Sequence, residues 1–519
     1  MIDVRMIAED APESRGIERG SAARRTSCFT RRSYARINVM KTQSTSPPLL
    51  IPALVLLMLA LAALACNLTE SGAPPTLVAR PTSTPPPTIG YATLAPNELP
   101  SVATFVAPAA DSVGAPDLSV SGAPRSDIAL LNLMNQVDVG RLMSHVQALQ
   151  DMGTRHVNSG YGTLGRGIGG AYDYITRQFE QIRDASRGNF VLLPPHEFAV
   201  SYESVDSIGR NIVGVVQGTE TGAGIVLLGA HYDSITIDFA DATGYAPGAN
   251  DNASGTAALI EIARIMSQRP HRATVMFVAF SAEEIGRKGS QAFVKDYLTP
   301  FNIRIDAMIN MDIIGSSTGP DGSLDDRRIR IYSAPPNESP SRQLARALNL
   351  IAFHHVPGME VVVLDEVDRA GRYSDHMSFS EAGFPAVRFI EMIENPNRNH
   401  NNADTLDGIR PEYLLRATQT ILAGATSLAN GLRPPRNISL RAEGGGLRTL
   451  LWERVPGARS YLVALRRPGS LIYDQYFETT ETSVIWDQFT ADRWAGLAIA
   501  AKDSAGVMGP LSTEYPVGS

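Results

Sequence analysis

IVLLGAHYDS at 225–234, PGANDNASGTAALIEIARIMS at 247–267 and TVMFVAFSAEE at 274–284 read together as strand, helix and strand. The first and third open on apolar runs too continuous for a strand with one wet face, so each suits a strand buried on both sides. Between them Leu259, Ile262, Ile265 and Met266 fall on one helical stripe from Gly255 to Ser267. The same alternation continues through strand runs at Ile305–Met311, Ile329–Tyr332, Val361–Leu364 and Ala386–Ile390, with helix patterns at Ser341–Phe353 and Pro411–Ala429. Residues 128–432 are therefore expected to form an α/β domain with a mixed, mostly parallel sheet covered by helices on both faces. Ligands of such sheets gather at the carboxyl ends of the strands.

Those ends carry the chemistry. His231 and Asp233 follow the first strand with i, i+2 spacing, so Asp233 can hold the His231 ring by a hydrogen bond. Asp251 precedes the helix, where an Asx cap and a metal-bridging carboxylate are competing readings. After the third strand, Ser281 and Glu284 have the spacing of a capping box; alternatively one of Glu283 and Glu284 ligates a metal while the other takes a proton. Asp312 leaves the next strand, and His400 lies in the polar stretch NHNNADT at 399–405, with His376 as its rival. His145, His156, His196, His271, His354 and His355 read as surface or packing residues. Two imidazoles and three ligating carboxylates would balance two Zn²⁺ and a hydroxide, whereas one metal would leave the cluster negative.

In order, HYDS, PGANDNASG, SAEEIG, NMD, SDH and NHNNADT resemble the motifs of the clan MH zinc exopeptidases, the family that includes bacterial leucyl aminopeptidases and glutamate carboxypeptidases. The resemblance covers 128–432 and implies the zinc exopeptidase fold. It implies one zinc on His231 and Asp312, a second on Glu284 and His400, and Asp251 bridging them. Glu283 matches the general base and Asp233 the partner of His231. Asp375 and His376 match a motif that lies beside the site without ligating metal, which favours His400. Asn399 departs from relatives that place an aromatic residue before the last ligand.

Elsewhere the chain says less about chemistry. A formal charge of −7, from 46 Lys and Arg against 53 Asp and Glu, argues against a nucleic-acid binder. Cys28 and Cys66 cannot build a cysteine zinc site, so any metal rests on His, Asp and Glu. The apolar run at 49–65 suits a signal peptide ending at Ala65 or a lipobox ending at Cys66, with an uncleaved membrane anchor as the competing reading and Met40 the expected start. Nine Lys and Arg against five Asp and Glu would leave with residues 1–65, so the exported part would carry −11. Residues 66–127 are rich in Pro, Thr and Ser and read as a semi-extended tether from the membrane surface. After Arg433-Pro434-Pro435 the pattern changes to short strands at Thr449–Glu453, Ser460–Arg466, Ser483–Trp486 and Gly496–Ala501, resembling a fibronectin type III β-sandwich over 435–519. That sandwich is expected to be an independent spacer or adhesion module.

The expectation is a secreted or lipid-anchored di-zinc aminopeptidase acting on peptides at the cell surface or outside the cell. A carboxypeptidase of the same fold, a non-catalytic receptor-like ectodomain and a single-zinc glutaminyl cyclase are the competing readings.

Overall fold

A computed structural model describes residues 128–162 and 165–518. The expected leader, tether and Cys66 anchor lie outside these residues. Among the described residues a nine-stranded sheet runs in the order β1-β3-β5-β4-β6-β9-β7-β8, with β2 added to β3. The strands are β1 (Phe190–Leu192), β2 (His196–Tyr202), β3 (Val205–Val216), β4 (Ile225–His231), β5 (Thr274–Phe280), β6 (Ala307–Met311), β7 (Arg328–Ser333), β8 (Glu360–Val363) and β9 (Ala386–Glu391). Four of them, β5-β4-β6-β9, pair in parallel and form the centre. Antiparallel pairing joins β3 to one side of this centre and β7 to the other.

All seven residues of β4 and all five of β6 are buried, as unbroken apolar runs require. Alternate residues serve opposite layers. Val226 and Leu228 join one hydrophobic cluster while Ile225 and Leu227 join the other. The first layer contains α1 (Ile128–Met134), α2 (Val139–Gln150), α3 (Gly167–Ala185), α4 (Ser254–Met266), α6 (Pro340–His355) and α8 (Pro411–Asn430), each of which buries residues in that cluster. On the opposite face, α5 (Lys288–Ala292), its wider continuation Phe293–Leu298 and α7 (His376–Glu381) bury Phe293, Leu298 and Phe379. Helix starts are chemically marked: Asp138 accepts from Arg141 N at 3.0 Å before α2, and Ser339 accepts from Arg342 N at 3.0 Å before α6, which opens on Pro340.

Seven further strands form two small sheets. β10 (Ser439–Gly444), β11 (Leu447–Leu451) and β14 (Ser483–Trp486) make one; β12 (Ser460–Arg466), β13 (Gln475–Thr479), β15 (Gly496–Lys502) and β16 (Tyr515–Pro516) make the other. Trp486, Phe489, Tyr461, Val463, Leu497 and Ile499 fill the core between them.

The expected independence of this sandwich is corrected by its packing. Leu462, Ala464, Ala498 and Ala500, on the outer face of β12 and β15, belong to the same cluster as the helices of the large domain. Leu432, before the Pro434-Pro435 break, is buried in the sandwich core. Polar contacts pin α6 to it: Gln343 donates to Ser512 O at 2.6 Å and accepts from the Tyr473 hydroxyl at 2.8 Å, and Arg346 Nε donates to Leu471 O at 3.0 Å.

Candidate metal centre

Three parallel strands end side by side and bring the site residues with them. His231 is the last residue of β4, register partner of Phe280 at the end of β5, and Asp312 follows the last residue of β6. Between β4 and α4 the chain makes the irregular turn Ala249–Ala253, which carries Asp251. Asn252 ties that turn to β6, its amide donating to Met311 O at 2.9 Å and its carbonyl accepting from Gly255 N at 3.0 Å. Asn252 thus bonds the first turn of the helix, while Asp251 faces the cluster of donor atoms.

Two groups of donor atoms converge. His231, Asp251 and Asp312 form one; Asp251, Glu284 and His400 form the other. His231 Nε2 lies 3.4 Å from Asp251 Oδ1 and 3.4 Å from Asp312 Oδ1. His400 Nε2 lies 3.3 Å from Asp251 Oδ2 and 3.0 Å from Glu284 Oε2. The two oxygens of Asp251 therefore face the two histidines separately. Around a tetrahedral zinc with bonds of about 2.0–2.1 Å, neighbouring donors stand about 3.3–3.4 Å apart, so these separations suit zinc. His231 Nε2, Asp312 Oδ1 and Glu284 Oε1 are buried and have no hydrogen-bond partner, which is costly unless a cation completes them.

Asp233 does more than the i, i+2 spacing suggested. Its Oδ1 is 3.5 Å from His231 Nδ1, and its two oxygens accept from Glu283 N at 3.1 Å and Glu284 N at 3.0 Å. It fixes the adjacent glutamates as well as facing the histidine. The capping-box reading of Ser281 and Glu284 is not met: no helix begins at 281, and Glu284 turns to His400. Glu283 Oε2 stands 3.8 Å from His231 Nε2 at the edge of the cluster. His376 is in neither group; its Nε2 lies 2.8 Å from Val367 O.

Burial pushes Glu283 well above the usual carboxylate range, with His231 opposing and Asp375, Asp312 and Glu284 adding repulsion. Glu284 is raised by burial too, against His400. Burial would also raise Asp251 and Asp312, but the two histidines beside Asp251, and Arg388 with His231 beside Asp312, outweigh it and hold both low. Glu284 first, and Asp251 with it, raise His400 to about 11. A pocket that draws positive charge onto imidazoles this strongly is suited to a dication.

Sequence reasoning missed Arg155 and Glu391 among the supports of this centre and read Asp404 only as part of NHNNADT. Arg155, fully buried, donates Nε to Tyr232 O at 2.7 Å, Nη1 to Pro247 O at 2.5 Å and Leu149 O at 3.2 Å, and Nη2 to Gly248 O at 2.9 Å, clamping the Asp251 turn against β4. Asp404 accepts from Asn250 N and Asp251 N, both at 2.9 Å, and burial pushes it up to about 7. Glu391, raised to about 8 by burial, accepts from Asn250 Nδ2 at 2.9 Å and from Ser316 N and Ser317 N. The charges inside the apolar run AVRFIE were a readable signal; Arg155 had none. At the rim, the Phe239 ring, 46% exposed, meets the His400 ring edge-on at 5.7 Å.

A sheet that delivers two histidines and three carboxylates to one cluster of donor atoms defines a candidate metal-binding protein. Residues 211–425 match the model of peptidase family M28. A probable zinc metalloprotease of Leptosphaeria maculans is 31% identical over 350 residues, 62% of this chain and 80% of the relative. One of Pyricularia oryzae is 31% identical over 381 residues, 66% of this chain and 75% of the relative. Among solved structures, the LapA aminopeptidase of Legionella pneumophila is similar at 22% identity and a TM-score of 0.47, covering 59% of this chain and 75% of that one. The chain belongs to peptidase family M28 and is a zinc metalloprotease.

Proposed function

We propose that this protein is a two-zinc aminopeptidase that removes N-terminal residues from peptides outside the cell. His231 and Asp312 would hold one ion, Glu284 and His400 the other, with Asp251 shared. The observation that carries two ions is the division of Asp251, one oxygen toward each histidine. Zinc there would supply Lewis acidity, polarising the scissile carbonyl and lowering the pKa of the attacking water.

The remaining work falls to the chain. Glu283 takes the proton of the attacking water and returns it to the departing amine, a task that suits a carboxylate whose affinity for protons burial has raised. Asp233 keeps it in place through the Glu283 backbone N–H. The choice of the amino end rests on charge. A carboxypeptidase needs a free Arg or Lys for the terminal carboxylate. Arg369, Arg372 and Arg398, close in sequence to the SDH and NHN motifs, pair instead with Glu394, Glu394 and Asp407. Asp375 is buried with both carboxylate oxygens unbonded, a group suited to a free ammonium. The three- and four-stranded sheets of the sandwich support its fibronectin type III reading, and the 49–65 segment that of export.

The deciding experiment offers two versions of one peptide. Trimming of the version with a free amine and an amidated C-terminus supports the reading. Trimming only of an N-acetylated peptide from its C-terminus overturns it in favour of a carboxypeptidase.

A further inference from the structure

Arg388 sits in the central strand β9, where its register partner in β6 is Asn310, two residues before Asp312. It is 1% exposed, and a charge so placed is tolerated only with close partners. Its guanidinium bridges two carboxylates. Nη2 is 3.0 Å from Asp312 Oδ2, while Nη1 is 3.0 Å from Asp368 Oδ2 and 3.2 Å from Asp368 Oδ1. Asp368 is itself anchored, accepting from Arg369 N at 2.7 Å and Ser374 N at 3.2 Å. One oxygen of Asp312 is thereby consumed, and only Oδ1, buried and without a hydrogen-bond partner, faces His231.

The other side of the centre is built differently. Glu284 has His400 beside it and, among the described residues, no arginine or lysine paired with its carboxylate. Behind the carboxylate ligands the two positions that share Asp251 thus differ: a fixed positive charge backs Asp312 and none is paired with Glu284. That charge repels a bound cation in a site of low dielectric and draws electron density from the Asp312 carboxylate.

We propose that Arg388 is a positioning residue that restricts Asp312 to one donor oxygen and makes the His231–Asp312 position the more weakly held of the two zinc positions. The proposal rests on the two-ion reading above. Removing a partner that only orients Asp312 would weaken zinc binding, whereas removing a guanidinium that repels the ion should tighten it, so the sign of the effect is the test.

Metal-stripped full-length protein is titrated with Zn²⁺ against a chromophoric chelator. Wild type should show a tight and a weak dissociation constant, and His231→Ala should retain only the tight one. Arg388→Met with Asp368→Asn removes the buried pair together, so that neither charge is stranded. In that variant the weak constant should fall about tenfold or more, the range over which outer partners tune metal affinity. Its tight constant should stay within about threefold, which also reports that the protein has folded. Arg388→Lys, which retains the charge, should stay near wild type. A weak constant in the double variant that is unchanged or larger overturns the role of Arg388, as does loss of the tight constant in His231→Ala. Uptake of a single zinc by wild type overturns the two-ion reading and this proposal with it, an outcome distinct from two ions with unaltered constants.

Discussion

Glu283 and Glu284 are adjacent and the same residue type, yet the fold turns one to the edge of the centre and the other onto His400. Asp233, accepting from both backbone N–H groups, is the residue that sets them. Glu283→Gln retains shape but cannot accept a proton, so turnover is expected to fall roughly 10² to 10⁴-fold. Elemental analysis should find the metal content unchanged. Near-normal turnover would remove Glu283 from the mechanism. The two histidines compared in the sequence separate in the same way. His400→Ala is expected to lose one zinc per chain, whereas His376→Ala, whose ring lies against Val367 O, should retain the wild-type content. The reverse pattern would reassign the ligand.

The element on which the centre depends is the junction of α4 with β6. Gly255, in the first turn of α4, lies so close to β6 that an added Cβ would stand 2.3 Å from Met311 O and 2.5 Å from Asn252 Oδ1. Only glycine lets the helix start this near the strand, and this approach sets the separation of Asp251 from Asp312. Gly255→Ala is expected to cost about 1–3 kcal/mol, the usual range for overpacking. It should also weaken zinc binding, because the helix start moves away from β6. A thermal melt and a zinc titration check both, and a variant with wild-type melting and affinity would show that the junction has slack. The Asp251 turn just before it has supports on two sides, Arg155 through carbonyls and Asp404 through N–H groups.

For the molecule as a whole, the sandwich is a structural part of the enzyme. Deleting 435–519 would expose the apolar face of the large domain now covered by Leu462, Ala464, Ala498 and Ala500. Each large buried apolar side chain is worth about 1.5–3 kcal/mol, and 1 kcal/mol moves Tm by roughly 2–4 °C in a domain of this kind. The truncated protein is expected to melt more than about 5 °C lower; an unchanged Tm would restore the independent-module reading. The same interface carries a titrating group. His354 packs against Tyr476 at 4.6 Å, and burial first, then Lys502 and His355, pushes it down from 6.5 to about 3. A histidine whose folded pKa is depressed contributes stability above its unfolded pKa and loses it as pH falls through the folded value. Docking should therefore weaken between about pH 6.5 and 3. All three tryptophans, Trp452, Trp486 and Trp494, are in the sandwich, so their fluorescence reports it. His354→Phe is expected to flatten that acid dependence, and an unaltered profile would place the acid sensitivity elsewhere.

Much of this was present in the chain itself. The runs IVLLGA and TVMFVAF are continuous because both faces of those strands are buried, and burial is a property each residue carries locally. The position of His231 and the Glu283–Glu284 pair at strand ends follows from these two runs, and that of Asp312 from the buried run AMINM. β3 escaped because its first half is exposed and its second half buried, so neither period fits the whole. What the chain could not contain was partnership. That Arg388 joins Asp312 to Asp368, that Arg155 clamps the Asp251 turn, and that the outer face of β12 and β15 joins the core of the large domain each depend on segments distant in sequence meeting in one packing arrangement. A periodicity records how deeply a residue is buried; which group it meets there is settled only when the strands are ordered and the helices docked.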